Sequence, residues 1–331
     1  MKSIKIVSVV VALFGATIIC SAQTLQDVGA ALNAGIELRA TALRANSTLG
    51  DVDNAIAAFE KVIELAEAIG DEAISSQLTA EGVLPELYFT RVARTPNNDF
   101  PAMLEASKIA VAIAEKYNNQ DVKQRAERNI PQLFLAKGAS ASNARNYEEA
   151  ISFFEQAVAF DPNLTAAYFN MGATFEAMQN EEKMIENYML AIEKGSVSGS
   201  DARNIQNAQN ARTRLRNHYF NAGQTARRAQ RMNDAIPLFI KAVEVDNGHF
   251  DSLYGLASSY NALRRWDDAI GISEQALQVE GIRTDPFYFE MGTAFAGKND
   301  NARACENFRK VTEEAFLESA KFQIENVLRC R

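Results

Sequence analysis

Residues 146–163 read Asn146-Tyr147-Glu148-Glu149-Ala150-Ile151-Ser152-Phe153-Phe154-Glu155-Gln156-Ala157-Val158-Ala159-Phe160-Asp161-Pro162-Asn163. Ala150, Phe154 and Ala157 recur at helical spacing, so they share one face of a helix. Glu148 and Glu149 open that helix, where acids suit the dipole, and Asp161-Pro162-Asn163 closes it. Working outward, Gly138 stands 12 positions before Ala150. The same interval separates Gly172 from Met184, Gly223 from Ala235, Ala257 from Ala269 and Gly292 from Ala304. Four residues after the second member come Phe154, Tyr188, Phe239, Ser273 and Phe308. Seven after it come Ala157, Ala191, Ala242, Ala276 and Val311.

This register has a mechanical meaning. Two helices approach closely only where a small residue faces the partner backbone. Gly or Ala on a first helix (A) opposite Ala on a second (B) supplies the approach, and the aromatic one turn along fills the adjacent gap. No stretch of the chain alternates like a strand.

The pattern resembles the tetratricopeptide repeat (TPR), a helix–turn–helix unit of 34 residues. The resemblance is strongest over residues 131–318. It implies an all-α, right-handed superhelical solenoid of antiparallel helix pairs with a C-terminal capping helix. Met184 replaces a small residue and Ser273 an aromatic, which predicts wider helix spacing in those two units. Residues 23–118 read as two degenerate TPR-like hairpins, with B helices after Leu49-Gly50-Asp51 and after Asp99-Phe100-Pro101. Residues 119–198 hold two units and 199–318 three, leaving 319–331 as the cap. Gly172 to Gly223 is 17 residues too long. The Gly195–Ser200 stretch reads as a flexible loop, and Asp201 as the N-cap of a long A helix over about 202–230.

Ahead of the repeats, Lys2 and Lys5 precede an apolar run from Ile6 to Ile19, then Cys20-Ser21-Ala22. That is the pattern of a secretory signal peptide over residues 1–22, cleaved near Ala22. Ile18 and Ile19 before Cys20 do not fit lipoprotein processing. The expectation is an exported protein, periplasmic or secreted, whose mature chain does not insert into a membrane. The chain carries a formal charge of −8, and loss of two Lys with the signal makes it more acidic. Nucleic acid is therefore an unsuitable partner.

Nothing converges on catalysis or on a cofactor. His218 and His249 sit in different repeats and neither pairs with a second ligand at metal-site spacing. No nucleophile elbow, phosphate loop or dinucleotide fingerprint occurs. Glu148-Glu149 and Asp267-Asp268 open B helices, where acids suit the dipole. Trp266 takes the inter-helix packing position of Tyr147.

Two features remain. The residue three before each register Gly or Ala gives Leu135, Phe169, Phe220, Tyr254 and Phe289. In the family resembled, A helices line a concave groove, so this row is either a grip for a protein or peptide partner or packing between repeats. Second, residues 202–233 hold seven Arg and no acid. A helical wheel puts Asn217, Phe220, Gln224, Arg227, Arg228 and Arg231 on one face. The functional reading is a guanidinium cluster for the carboxylates of an acidic partner; the other is a solvated face, or Arg paired with acids of the next repeat. The family's carboxylate-clamp Lys is replaced by Phe220. The sequence thus predicts a non-enzymatic protein–protein interaction scaffold or adaptor in the cell envelope. Capture of a small ligand in the same groove is the alternative, and a carboxylate-site enzyme the weakest reading.

Cys305 and Cys330 carry a last expectation. With a turn near 316–318, the last B helix and the cap run antiparallel. The two thiols then lie within about two turns of facing each other. Either they form a disulfide, as export permits, or Cys305 is a small packing residue and Cys330 a terminal thiol.

Overall fold

The computed structural model describes residues 23–197, 199 and 201–330, so the leader assigned to 1–22 lies outside the described residues. The chain is all-α. Fifteen α-helices and no strand occur among the described residues. They form two compact units divided at Ile130/Pro131.

Unit 1 contains α1 (Leu25–Ala42), α2 (Leu49–Ile69), α3 (Ile74–Arg94) and α4 (Phe100–Lys116). Thr24 and Thr48 start α1 and α2 with reciprocal capping boxes to Asp27 and Asp51. Phe59 is fully buried beneath Gly35, among Val28, Val52, Val62, Leu84 and Leu87. The dividing point falls inside α5 (Gln120–Asn143), which carries Pro131.

Unit 2 continues from Pro131 through α6 (Tyr147–Phe160), α7 (Thr165–Ala177), α8 (Glu181–Gly195), α9 (Ala202–Arg228), α10 (Met232–Val245), α11 (Phe250–Ala262), α12 (Trp266–Leu277), α13 (Asp285–Gly297), α14 (Asn301–Arg309) and α15 (Glu314–Phe322). The register glycines show why they are glycine. A Cβ on Gly138 would stand 2.6 Å from the Phe154 ring, and one on Gly172 2.6 Å from Tyr188. The corresponding distances are 2.9 Å for Gly223 and Phe239, and 2.8 Å for Gly292 and Phe308. The ring occupies the space of the missing side chain. In the fourth pair, Ala257 carries a methyl and the B helix offers only Ser273, fully buried with its hydroxyl on the Ala269 carbonyl at 2.7 Å. Both register positions of this pair are thus small.

Every A-to-B turn of unit 2 uses one device. Arg145, Gln179, Gln230, Arg264 and Asn299 are left-handed, with φ of 58–64°. The next amide reaches back over the turn, as from Asn146 to Ala141 and Asp300 to Phe295 at 2.9 Å each. These are Schellman closures with a non-glycine at the left-handed position.

Asp201 caps α9 through the Asn204 amide at 2.8 Å, and this helix, 27 residues long against 13 in α7 and α11, takes up most of the extra 17. Gly195, expected in a loop, is instead the buried last residue of α8, where a Cβ would meet Ala208 at 2.4 Å. The cap also starts earlier than the sequence suggested. The turn lies at 310–313, and α15 begins at Glu314 and closes in a π-helical turn at Gln323–Val327. The cause is Asp285, whose carboxylate accepts from the amides of Thr312 and Glu313 (2.5 and 2.6 Å) and from the Thr312 hydroxyl at 2.9 Å. Those bonds hold the Asp285 carboxyl below its ordinary pKa, against the opposing pull of burial. At the far end Cys305 and Cys330 are joined as a disulfide, their Cα atoms 5.8 Å apart.

Candidate functional site

The A helices α9, α11 and α13 bring together Gln224, Arg227, Tyr254, Ser258, Asn261 and Glu290. Arg227 is placed by its neighbours: Nε donates to Gln224 Oε1 at 2.9 Å, and Nη1 to Ser258 Oγ at 3.1 Å. Asn261 is only 8% exposed and Glu290 7%. The Asn261 amide donates to Glu290 Oε2 at 2.6 Å and to the Glu290 carbonyl at 2.9 Å. Burial pushes the Glu290 carboxyl above the ordinary carboxylate range, and the Asn261 amide, Arg227 charge and Tyr254 hydroxyl oppose that push. The Asn261 carbonyl oxygen is buried with no hydrogen-bond partner among the described residues. The arrangement is a half-sunk polar patch on three successive A helices, with a guanidinium at its edge and a buried carboxyl at its base. Chemically it suits recognition of amides and hydroxyls.

The aromatic row is half-buried, and its rings pack in unit 2. Phe169 lies 5.9 Å from Tyr188, Phe220 6.0 Å from Phe239, and Phe289 5.5 Å from Phe308. Each thus rests on the ring that presses its own register glycine. Tyr254 has Ser273 there and turns to Phe250, Phe287 and Phe316, at 6.1, 6.5 and 6.2 Å. These residues hold repeats together with their buried edges and leave the others on the A-helix face.

The arginines divide. Arg214 pairs with Glu176 at 2.9 Å, Arg216 with Asp246 at 2.8 Å, and Arg212 donates to the Val245 carbonyl at 3.1 Å. Asn217 accepts from Arg216 at 2.8 and 3.0 Å. Arg231 is not on the α9 face at all. The helix ends at Arg228, the chain turns at Gln230, and Arg231 becomes the N-cap residue of α10, 3.4 Å from Asp234. Arg228 is exposed at the last position of α9. Of the three arginines expected together on the wheel, Arg231 pairs with Asp234 off the α9 face, Arg228 is exposed at the helix end, and Arg227 is built into the polar patch.

His218 faces Glu181 at 3.0 Å. His249 caps α11, with Nδ1 2.8 Å from Ser252 Oγ, and burial followed by the Arg216 charge lowers its pKa. Trp266 packs over Gly297, where a Cβ would stand 2.5 Å from its ring. Among the described residues there is no cluster of metal-ligating side chains and no helix long and apolar enough to cross a membrane. Ser258, Asn261 and Glu290 were missed in the sequence. Ser258 and Asn261 share α11 and Glu290 lies on α13, each at a different register position, so no repeated spacing marks them.

Models of the tetratricopeptide repeat match residues 36–69, 131–164, 165–193 and 252–287. No curated relative matches the chain. Among solved structures, a crystal structure of MamA protein is 17% identical, with a TM-score of 0.28 over 60% of this chain and 95% of that one. YrrB, described as a TPR protein with an unusual peptide-binding site, is 14% identical, with a TM-score of 0.27 over 59% of this chain and 88% of that one.

Proposed function

The chain is a tetratricopeptide-repeat protein, and on that premise we propose that it is an exported scaffold that holds a protein or peptide partner on the A-helix face of unit 2. Repeats of this kind serve as protein–protein interaction scaffolds. The observation that carries the finer reading is the polar patch of Arg227, Ser258, Asn261 and Glu290 beside the rings of Phe220 and Tyr254. A buried Asn–Glu pair is costly unless its bonds are completed. Arg227 and Ser258, both part-exposed above that pair, are the polar groups a partner can reach. An Arg, a Tyr and a Phe around such a patch are the residue types that dominate interface energetics. Two of the α9 arginines, Arg214 and Arg216, are already paired with Glu176 and Asp246, which reduces what α9 offers an acidic partner. Export is supported by the leader pattern of residues 1–22 and by the Cys305–Cys330 bond, which suits an oxidising compartment.

The test is capture of the partner by crosslinking in intact cells, followed by affinity measurements on the purified pair. Arg227→Ala should weaken binding by about 1–3 kcal/mol with little change in thermal stability, and Tyr254→Ala should weaken it by a similar amount while also lowering the unfolding temperature through lost packing on Phe250, Phe287 and Phe316. Unchanged affinity together with a sharply lowered unfolding temperature would make these residues packing alone.

A further inference from the structure

On the opposite side of α11 from Tyr254, Ser258 and Asn261, helices α10, α11 and α12 enclose a cleft of about 580 Å³. Val243, Leu256, Tyr260 and Ile272 form its apolar floor, each no more than 9% exposed. The volume lies in the range of sites that take a side chain and its flanks. Glu244, Asp267 and Asp268 stand among the polar groups that line it.

Gly271 supplies the first sign of an occupant. It lies inside α12 and lines the cleft, and nothing stands within 4 Å of where its Cβ would be. Gly138, Gly172, Gly223, Gly255 and Gly292 are all explained by a ring pressed against them. Gly271 has no such neighbour, a property shared by Gly29 and Gly82 in other helices, and in the wall of this cleft it leaves the α12 backbone open to close approach by a second chain.

Charge supplies the second. The acids already draw the chain's own cations: Lys298 pairs with Asp267, and Arg265 with Asp268 at 2.7 Å. The Arg265 guanidinium also lies 4.6 Å from the centre of the Tyr260 ring, on the cleft floor. Glu244 carries no ion pair among the described residues and is exposed. The chain as a whole stands at −8, so its field favours a basic approaching segment and opposes an acidic one.

We propose that this cleft docks a short segment of a partner protein carrying one large apolar side chain with a Lys or Arg within a turn of it. The apolar anchor fills the space over Leu256 and Ile272, the cation meets Glu244, and the segment's backbone passes over Gly271. This rests on the reading of the chain as an interaction scaffold but not on the A-helix face, so the molecule has two docking surfaces on opposite sides of α11.

The test screens the purified chain against nine-residue peptides with Leu, Phe or Trp fixed at the centre and all flanking positions randomised. The expected result is enrichment of Lys and Arg beside the anchor. The best fluorescein-labelled peptide is then titrated by anisotropy. Gly271→Leu fills the cleft and should weaken binding at least tenfold, while the urea midpoint of Trp266 fluorescence stays level or rises. Glu244→Lys should weaken it several-fold, and Tyr254→Ala should leave it unchanged. Absence of any enriched peptide, enrichment of acidic flanks, or full affinity in Gly271→Leu overturns the proposal. Loss of binding in Tyr254→Ala with retention in Gly271→Leu overturns it too, and leaves the A-helix face as the binding surface.

Discussion

Replacing Gly138 by Ala tests the packing rule on which the repeats are built. The added Cβ would stand 2.6 and 2.7 Å from two atoms of the Phe154 ring and 3.1 Å from the Ala150 carbonyl oxygen. Ordinary carbon contacts are about 3.5–4.0 Å, so the ring or the helix must retreat by roughly 0.8 Å or more. Phe154 is fully buried and the Ala150 oxygen is backbone, so neither yields cheaply. Overpacking of this kind costs about 1–3 kcal/mol. Helix propensity opposes it, since Ala is better than Gly by about 1 kcal/mol. The net expectation is destabilisation by up to about 2 kcal/mol. Gly271→Ala is the internal control, because it has the same propensity gain and open space around it. It should stabilise by up to about 1 kcal/mol. Urea unfolding followed by Trp266, the single tryptophan and itself in unit 2, reads both. Two variants shifted in opposite directions at constant slope support the argument. Gly138→Ala stabilising as much as Gly271→Ala would refute it.

Two other perturbations probe the patch and the cap. Burial holds the folded Glu290 carboxyl above its ordinary value of 4.5. The folded state therefore keeps its proton longer than the unfolded state, and the stability this gives is present below that value and lost as pH rises through the folded pKa. Glu290→Gln should match the native chain near pH 4 and exceed it in unfolding midpoint at neutral pH. A difference that shrinks or reverses on raising the pH would count against a destabilising buried carboxylate. Cys330→Ser opens a bridge spanning 25 residues and should cost about 3 kcal/mol in the chain-entropy model, seen as faster amide exchange in α15. Mass spectrometry of the native chain, purified without reductant, should find no free thiol at Cys305 or Cys330, and two free thiols would remove the bridge from the account.

The helix pairs were legible because their constraint is short-range and repeated. A ring four residues after Ala150, Ala235 or Ala304 demands a glycine on the preceding helix, and the interval recurs. At Ser273, where the register aromatic is absent, the side chain is nonetheless buried and bonded to the Ala269 carbonyl. The left-handed turns were not legible, since Arg, Gln and Asn stand where a glycine would have announced them. Arg214 and Arg216 looked unpaired because their partners, Glu176 and Asp246, lie far from them in sequence. The start of the cap was missed for a similar reason: Asp285 fixes it from 27 residues away. Glu290 and Asn261 are ordinary polar residues on separate helices, and only the stacking of α11 on α13 makes them a buried pair.

The central claim is that the A-helix face of unit 2 holds a protein partner. Its most direct test places a photo-crosslinking amino acid singly at Tyr254, Arg227 or Ser258, and as controls at the exposed B-helix positions Glu193 and Glu155, in cells making the full chain. The account predicts a discrete crosslinked protein from the first three positions and none from the controls. Crosslinks that appear equally at Glu193 and Glu155, or fail at all three A-helix positions while the partner still co-purifies, would contradict it.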